Sequence, residues 1–219
     1  IAGSGGYRTN EVWVDTGTRG GLSRALRQSI VQGLCDVFTG VLVDEKRVEE
    51  LKRLDLVFTR PYLSLAFVPV VQGAVVDATS FSDLKDTAIG VDIRTPVDRY
   101  LVNKGYLREE YAGNVLLMDA VILGNVDAAI VWSPSIAVAR KNFPSSEFKL
   151  IPEYVPEPEL MWNIAMVVLK DENELKDFFN NALHILLENG KLRQIVESYG
   201  APYFPPSGGS TNGNYRPKE

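Results

Sequence analysis

The chain states one short pattern twice, 91 positions apart: Gly33-Leu34-Cys35-Asp36 before apolar Val37-Phe38, and Gly124-Asn125-Val126-Asp127 before Ala128-Ala129-Ile130-Val131. In each copy an apolar segment closes on Gly, which enters the left-handed cap conformation without a Cβ penalty, and an Asp then opens a strand. The recurring order of helix, cap and strand predicts two similar α/β lobes. Upstream, Val12-Trp13-Val14-Asp15 and Leu116-Leu117-Met118-Asp119 extend the echo as short apolar runs that end in Asp. Any α/β domain repeats a capped helix before a strand, so the repeat speaks to architecture and not to function.

The 219 residues suffice for one large domain or two small ones, each with a core. A composition of 45% hydrophobic and 23% charged residues excludes disorder for most of the length. The net charge of −5, the pI of about 5.1 and the lack of any Lys/Arg-rich run remove the footprint that phosphate backbones or anionic membranes require. No nucleic-acid partner is expected. Cys35 is the one cysteine, which rules out an internal disulfide, multi-cysteine zinc sites and c-type haem attachment; next to Leu34 and ahead of Asp36, it is expected to be buried and inert. No apolar stretch reaches the roughly 18–20 residues that span a bilayer, so no membrane span is expected. Residues 1–6 and 207–219 read as flexible ends. The opening Ile1-Ala2-Gly3-Ser4-Gly5-Gly6 points to processing, trimming or a preceding segment, and leaves open that this region is one module of a longer chain.

Between the ends, Val12–Asp15 reads as a strand, and Leu22, Leu26 and Ile30 recur at helical spacing until Gly33. Residues 36–42 read as a buried strand, and the mixed-sign run 44–53 as a helix with a solvated face. Prolines divide 56–71 into a first strand and a longer β segment. Residues 87–92 form a further strand. Thr95-Pro96-Val97-Asp98 starts a helix with an N-cap Thr, a Pro at the first helical position and a capping acid; it should stop at Gly105. Strands at 127–132 and 162–169 and helices at 172–189 and 191–199 complete the order, with His184 on an outer face.

Two α/β lobes joined by β crossings, with closing helices that return to the first lobe, resemble the type II periplasmic-binding-protein plan. The strings Gly33-Leu34-Cys35-Asp36-Val37 with Gly40-Val41, Thr59-Arg60-Pro61-Tyr62, and Val126-Asp127-Ala128-Ala129-Ile130-Val131-Trp132-Ser133-Pro134 together are similar to the MxaJ/XoxJ family. That family comprises solute-binding-protein-like accessories found with PQQ-dependent methanol dehydrogenases. The resemblance covers roughly positions 8 to 206. It implies a discontinuous lobe one of 7–68 plus 167–206, and a lobe two of 69–166 with a cleft between them. There are two departures. Nothing before Tyr7 supplies the first βα unit of lobe one, and the span between Asp119 and Asp127 is too short for the helix found in the matching place of lobe one.

In such a fold ligands meet the loops at strand ends. The candidate ligand or partner residues are Arg60, Tyr62, Thr95, Trp132 and Trp162, with Trp13 as further apolar wall. Thr95 caps a helix whose amide-rich start can receive an anionic group. Many amino-acid-binding relatives carry an acid at position 132, where it pairs with the ligand ammonium; Trp132 cannot do this. Arg47, near the place where those relatives hold the ligand carboxylate, sits in a charged helical run. An amino-acid ligand is therefore disfavoured, and an apolar peptide segment suits the site better. Nucleophile, base and acid groups do not converge in the sequence, so no catalysis, metal or cofactor is expected.

The resemblance implies a non-catalytic periplasmic accessory that assists maturation, activation or electron-transfer assembly of a PQQ-dependent methanol dehydrogenase, of the lanthanide type. The enzyme is the expected partner and its cytochrome c a further candidate. The competing expectation is a solute receptor of an ABC importer, for a small organic ligand other than a typical amino acid.

Overall fold

A computed structural model describes residues 1–6, 8–17 and 21–207. The turn residues 18–20 and the polar tail beyond Ser207 lie outside the described residues. In chain order the elements are α1 (Gly21–Gln28), β1 (Phe38–Leu42), α2 (Glu45–Arg53), β2 (Leu56–Phe58), β3 (Leu63–Val71), β4 (Ile89–Asp92), α3 (Pro96–Lys104), β5 (Arg108–Tyr111), α4 (Asn114–Ile122), β6 (Ala128–Trp132), α5 (Ser133–Asn142), β7 (Lys149–Leu150), β8 (Met161–Leu169), α6 (Asn173–Glu188) and α7 (Lys191–Ser198). The chain divides into two compact units: Ile1–Ser64, Asn163–Gln194 and the residues from Pro205 form unit one, whereas Leu65–Trp162 and Ile195–Phe204 form unit two. The division thus falls inside β3 and β8, and again after Gln194 and after Phe204.

In unit one, Val167 of β8 lies opposite Phe38 on one side and Phe58 on the other, so β8 runs antiparallel between β1 and β2. Helix α2 joins those two strands. Its N-cap is Asp44, whose carboxylate accepts the Arg47 N–H at 2.7 Å, and Lys52 and Arg53 sit at the negative end of the helix dipole. Leu26, Ile30, Val41, Leu51, Leu56 and Val167 make the core of this unit. Each fully buried side chain of this kind contributes roughly 1.5–3 kcal/mol.

Two expectations fail here. The strand at 36–42 is not a buried one: it begins at Phe38, only Val41 is buried, and a register shift with Gly40 at φ 79° interrupts its pairing. Val12–Asp15 adopts no regular structure and Trp13 is 91% exposed, because strand-forming side chains do not make a strand unless the backbone finds a partner. The edge of β1 away from β8 carries no strand partner among the described residues. Ala2–Gly5, read as a flexible end, forms one 3-10 turn, and Cys35 is half-buried rather than enclosed.

A polar clasp fixes the ends of unit one. Ser64 and Asn163 are buried, and the Asn163 Oδ1 accepts hydrogen bonds from the Ser64 hydroxyl at 2.8 Å and the Ser207 N–H at 2.9 Å. Its Nδ2 donates to the Ser207 carbonyl at 2.9 Å. One carboxamide therefore ties β3, β8 and the segment after α7, with both its donor and its acceptor used.

Unit two is a five-stranded sheet, β7-β3-β6-β4-β5, in which β4 is parallel to both β5 and β6 while β3 runs antiparallel to β6 and β7. The period of two along each strand sorts the side chains cleanly. Ala66, Val68, Val70, Ala129 and Val131 face a core shared with Leu117, Met118, Val121 and Ile136 of α4 and α5. Phe67, Val71, Ile89, Val91, Ala128 and Ile130 face the opposite core with Val97, Tyr100 and Leu101 of α3. The predicted glycine caps are present: Gly33, Gly105 and Gly124 adopt φ of 70°, 68° and 75°.

The matching helix of this unit is also present, which corrects the expectation that the span between Asp119 and Asp127 leaves no room for it: the helix begins earlier, at Asn114. Leu, Met and Ala are strong helix formers, and 114–122 form α4, so the cap at Gly124 closes a full helix. The strand before it is β5, whose Arg108-Glu109-Glu110-Tyr111 has no apolar pattern because it is an exposed edge. Helix α5 and strand β7 likewise carried no sequence expectation.

Gly90 in β4 lets α4 approach the sheet: a Cβ built there would lie 2.7 Å from Leu117 Cδ1 and 3.3 Å from Ala129 Cβ. Gly90→Ala is therefore expected to destabilise the protein by about 1–3 kcal/mol, read as a lowered urea midpoint; an unchanged midpoint would mean that α4 retreats freely. Asn163→Ala should cost about 1–3 kcal/mol by leaving the hydroxyl and backbone groups unpaired, with faster amide exchange at Ser207 as its local signature.

Candidate functional site

The five candidate residues fall into two groups. Trp132, Trp162 and Thr95 belong to unit two, and Arg60 and Tyr62 to unit one.

Strand β6 ends at Trp132, and its antiparallel register with β3 puts Phe67 directly opposite. The two ring centroids are 5.0 Å apart at 56°. Trp162, at the start of β8, adds a third ring, 5.9 Å from Trp132 and 6.1 Å from Phe67. Phe67 is buried while both indoles are half-buried, so the three rings form an aromatic shelf with a covered base and two accessible members. Tilted and edge-to-face contacts of this kind contribute roughly 0.5–1.5 kcal/mol each beyond buried area. Neither indole N–H has a protein partner among the described residues, and neither is sealed in the interior, so each remains a donor for a bound group.

The backbone beneath Trp132 is held by side chains that the sequence did not single out. Its N–H donates to Asn114 Oδ1 at 3.0 Å, Asn114 Nδ2 donates to Asp92 Oδ2 at 3.0 Å, and the Gly113 N–H donates to Asp92 Oδ1 at 3.1 Å. On the other side the Ala66 N–H donates to the buried Ser133 hydroxyl at 3.3 Å. The loops after β4 and β5 are thereby joined to the end of β6, which fixes the shelf on a rigid frame. An Asp at a strand end and an Asn opening an apolar helix were the available signals.

Thr95 is the N-cap of α3, as its sequence context predicts. Its Oγ1 accepts the Asp98 N–H at 3.3 Å and donates to the Asp92 carbonyl at 2.7 Å. The anion expected at this helix start is supplied by the chain itself: Asp98 accepts from the Arg94 N–H at 3.0 Å and from Arg108 Nε at 2.7 Å. Arg94 reaches this geometry with φ 62°.

In unit one, Tyr62 and Arg60 are anchored to their own surroundings. Burial raises the Tyr62 hydroxyl above its usual pKa, an effect opposed by a hydrogen bond from the backbone of Gly40. The Arg60 N–H donates to Asn180 Oδ1 at 2.7 Å, and its guanidinium reaches the Asn180 carbonyl at 3.5 Å, which ties the end of β2 to α6. Arg47 pairs with Glu50 one turn along α2, leaving Arg47 Nε and Glu50 Oε1 buried with no hydrogen-bond partner among the described residues. His184 is exposed, 3.9 Å from Glu188. Among the described residues no group of three or more His, Cys, Asp or Glu is arranged to hold a metal ion, and no helix is long and apolar enough to cross a membrane. The structure therefore brings Trp132 and Trp162 together, adds Phe67 to them, and commits the polar groups of Thr95 and Arg60 to structural contacts.

No family model matches the chain, and no curated protein matches it. Solved structures do. The second substrate binding domain of Lactococcus lactis GlnP, in an open conformation, is similar with a TM-score of 0.65 and 22% identity over 80% of this chain and 74% of that one. The unliganded open L-cystine solute receptor of Neisseria gonorrhoeae is similar with a TM-score of 0.64 and 16% identity, over 80% and 72% of the two chains. An ancestral cyclohexadienyl dehydratase is similar with a TM-score of 0.57 and 19% identity, over the same shares. Identities this low speak to fold alone. The mixed α/β chain has the type II periplasmic-binding-protein fold.

Proposed function

We propose that this chain is a non-catalytic periplasmic binding protein whose aromatic shelf grips a segment of a partner protein, and that the partner is a PQQ-dependent methanol dehydrogenase of the lanthanide type. The observation that carries the reading is Trp132 at the end of β6, half-buried against Phe67 and Trp162; the resemblance in sequence implies an acid at this position in receptors for amino acids. Two accessible indole faces, whose N–H donors have no partner among the described residues, suit apolar side chains and backbone carbonyls of a peptide segment. The strings around Gly33, Arg60 and Trp132 direct the choice of partner through their resemblance to the MxaJ/XoxJ accessories. The dehydrogenase's cytochrome c is the alternative partner within this reading, which assigns the chain a role in maturing or activating the enzyme.

The second reading is a solute receptor of an ABC importer. It is favoured by the likeness in fold to the L-cystine receptor and the GlnP domain. The indole faces could then hold a ligand cation, an interaction that contributes roughly 0.5–2 kcal/mol according to its desolvation.

A titration of the protein against apo and metal-loaded methanol dehydrogenase separates these readings. Preferential binding to one form is expected, and Trp132→Ala or Trp162→Ala should weaken it by roughly 30-fold or more, the size of a loss of about 2 kcal/mol at an aromatic anchor. Circular dichroism controls for folding. Binding to neither form, or binding indifferent to both substitutions, would overturn the proposal. A rise in melting temperature with an amino acid or alcohol, lost in Trp132→Ala, would establish the receptor reading instead.

A further inference from the structure

Helix α4 is apolar all round, with Asn114 and Asp119 as its polar residues. Its inner face, Leu117, Met118, Ala120 and Val121, is buried on the sheet of unit two. A helix that packs on one side of a domain ordinarily turns charge to the other side. Here the outer face is apolar too: Val115 is 75% exposed, Leu116 54%, and Leu123, directly after the helix, 73%. With half-buried Ile122 they surround Asp119, since positions 115, 119, 122 and 123 recur one or two turns apart. Asp119 makes no side-chain hydrogen bond or ion pair with any of the described residues.

The single carboxylate decides what can cover this face. Asp119 lies next to the midpoint of a nine-residue helix. A second copy docked antiparallel about a two-fold axis would bring the two Asp119 side chains together as an interface desolvates, which is unfavourable for like charges. The complementary surface has apolar side chains around one cation. We propose that the outer face of α4 is a docking site for a helix of another protein that presents apolar side chains around a single Lys or Arg opposite Asp119. This site is separate from the aromatic shelf, and the inference stands whether or not the dehydrogenase is the partner.

The test uses two synthetic amphipathic helical peptides with the same leucine face, one with a central Lys and one with a central Glu, titrated by fluorescence anisotropy. The wild-type protein should bind the Lys peptide at least tenfold more tightly than the Glu peptide. Asp119→Lys should reverse that preference, and Leu123→Glu should abolish binding of both, with unchanged circular dichroism throughout. Backbone amide shifts on adding the Lys peptide should cluster on 115–123. Equal affinity for the two peptides, absence of binding by both, failure of the charge swap to reverse the preference, or sedimentation of the protein as a dimer that Asp119→Lys disrupts would each overturn the proposal.

Discussion

The antiparallel pairing of β3 with β6 sets the character of unit two. Strands β4, β5 and β6 run parallel, and helices on both faces connect them, so their C-terminal ends share one rim. Because β3 runs the other way, its beginning lies at that same rim and brings Phe67 against Trp132. The alternation of side chains then does the rest. Phe67, Ile130 and Ile89 take the α3 face, while Ala66, Ala129 and Gly90 take the α4 face, where small residues admit a closely packed helix. A slip of one residue in this register would exchange the two faces and remove the shelf.

Local backbone chemistry was readable from the chain wherever one residue type decides the conformation. The caps at Gly33, Gly105 and Gly124 and the Thr95-Pro96 helix start all belong to this class, because each depends on neighbours within a turn. Pairing was not readable. Val12-Trp13-Val14 has strand composition but no strand partner among the described residues, and Arg108-Glu109-Glu110-Tyr111 has a partner but no strand composition. The outer strand of a sheet takes its order from β4 and its side chains from water. Helix α4 was obscured by its uniform apolarity, since a period of 3.6 appears only when one face is polar.

The site shows the same division. Trp132 was legible as the end of a buried strand, and Trp162 as the start of another, but their meeting depends on register, and Phe67 enters only through it. Thr95 was legible as a cap; that Asp98 already satisfies the helix start depends on Arg94 and Arg108, which reach it from outside the helix. The type II fold accommodates a solute receptor, a transporter domain and a dehydratase, so function rests on the side chains at the rim and not on the architecture. Here those side chains are aromatic, braced by Asn114 and Asp92, with indole donors that have no partner among the described residues.

The most direct measurement is the fluorescence of a variant that keeps Trp132 as its sole tryptophan, with Trp13 and Trp162 replaced by Phe, during titration with apo methanol dehydrogenase lacking tryptophan signal by selective labelling, and separately with amino acids. Occupation of the shelf by a segment of the enzyme predicts a blue shift of the Trp132 emission that saturates with the dehydrogenase and is absent with amino acids. A saturable shift with an amino acid and none with the enzyme would contradict the proposed role and make the chain a solute receptor.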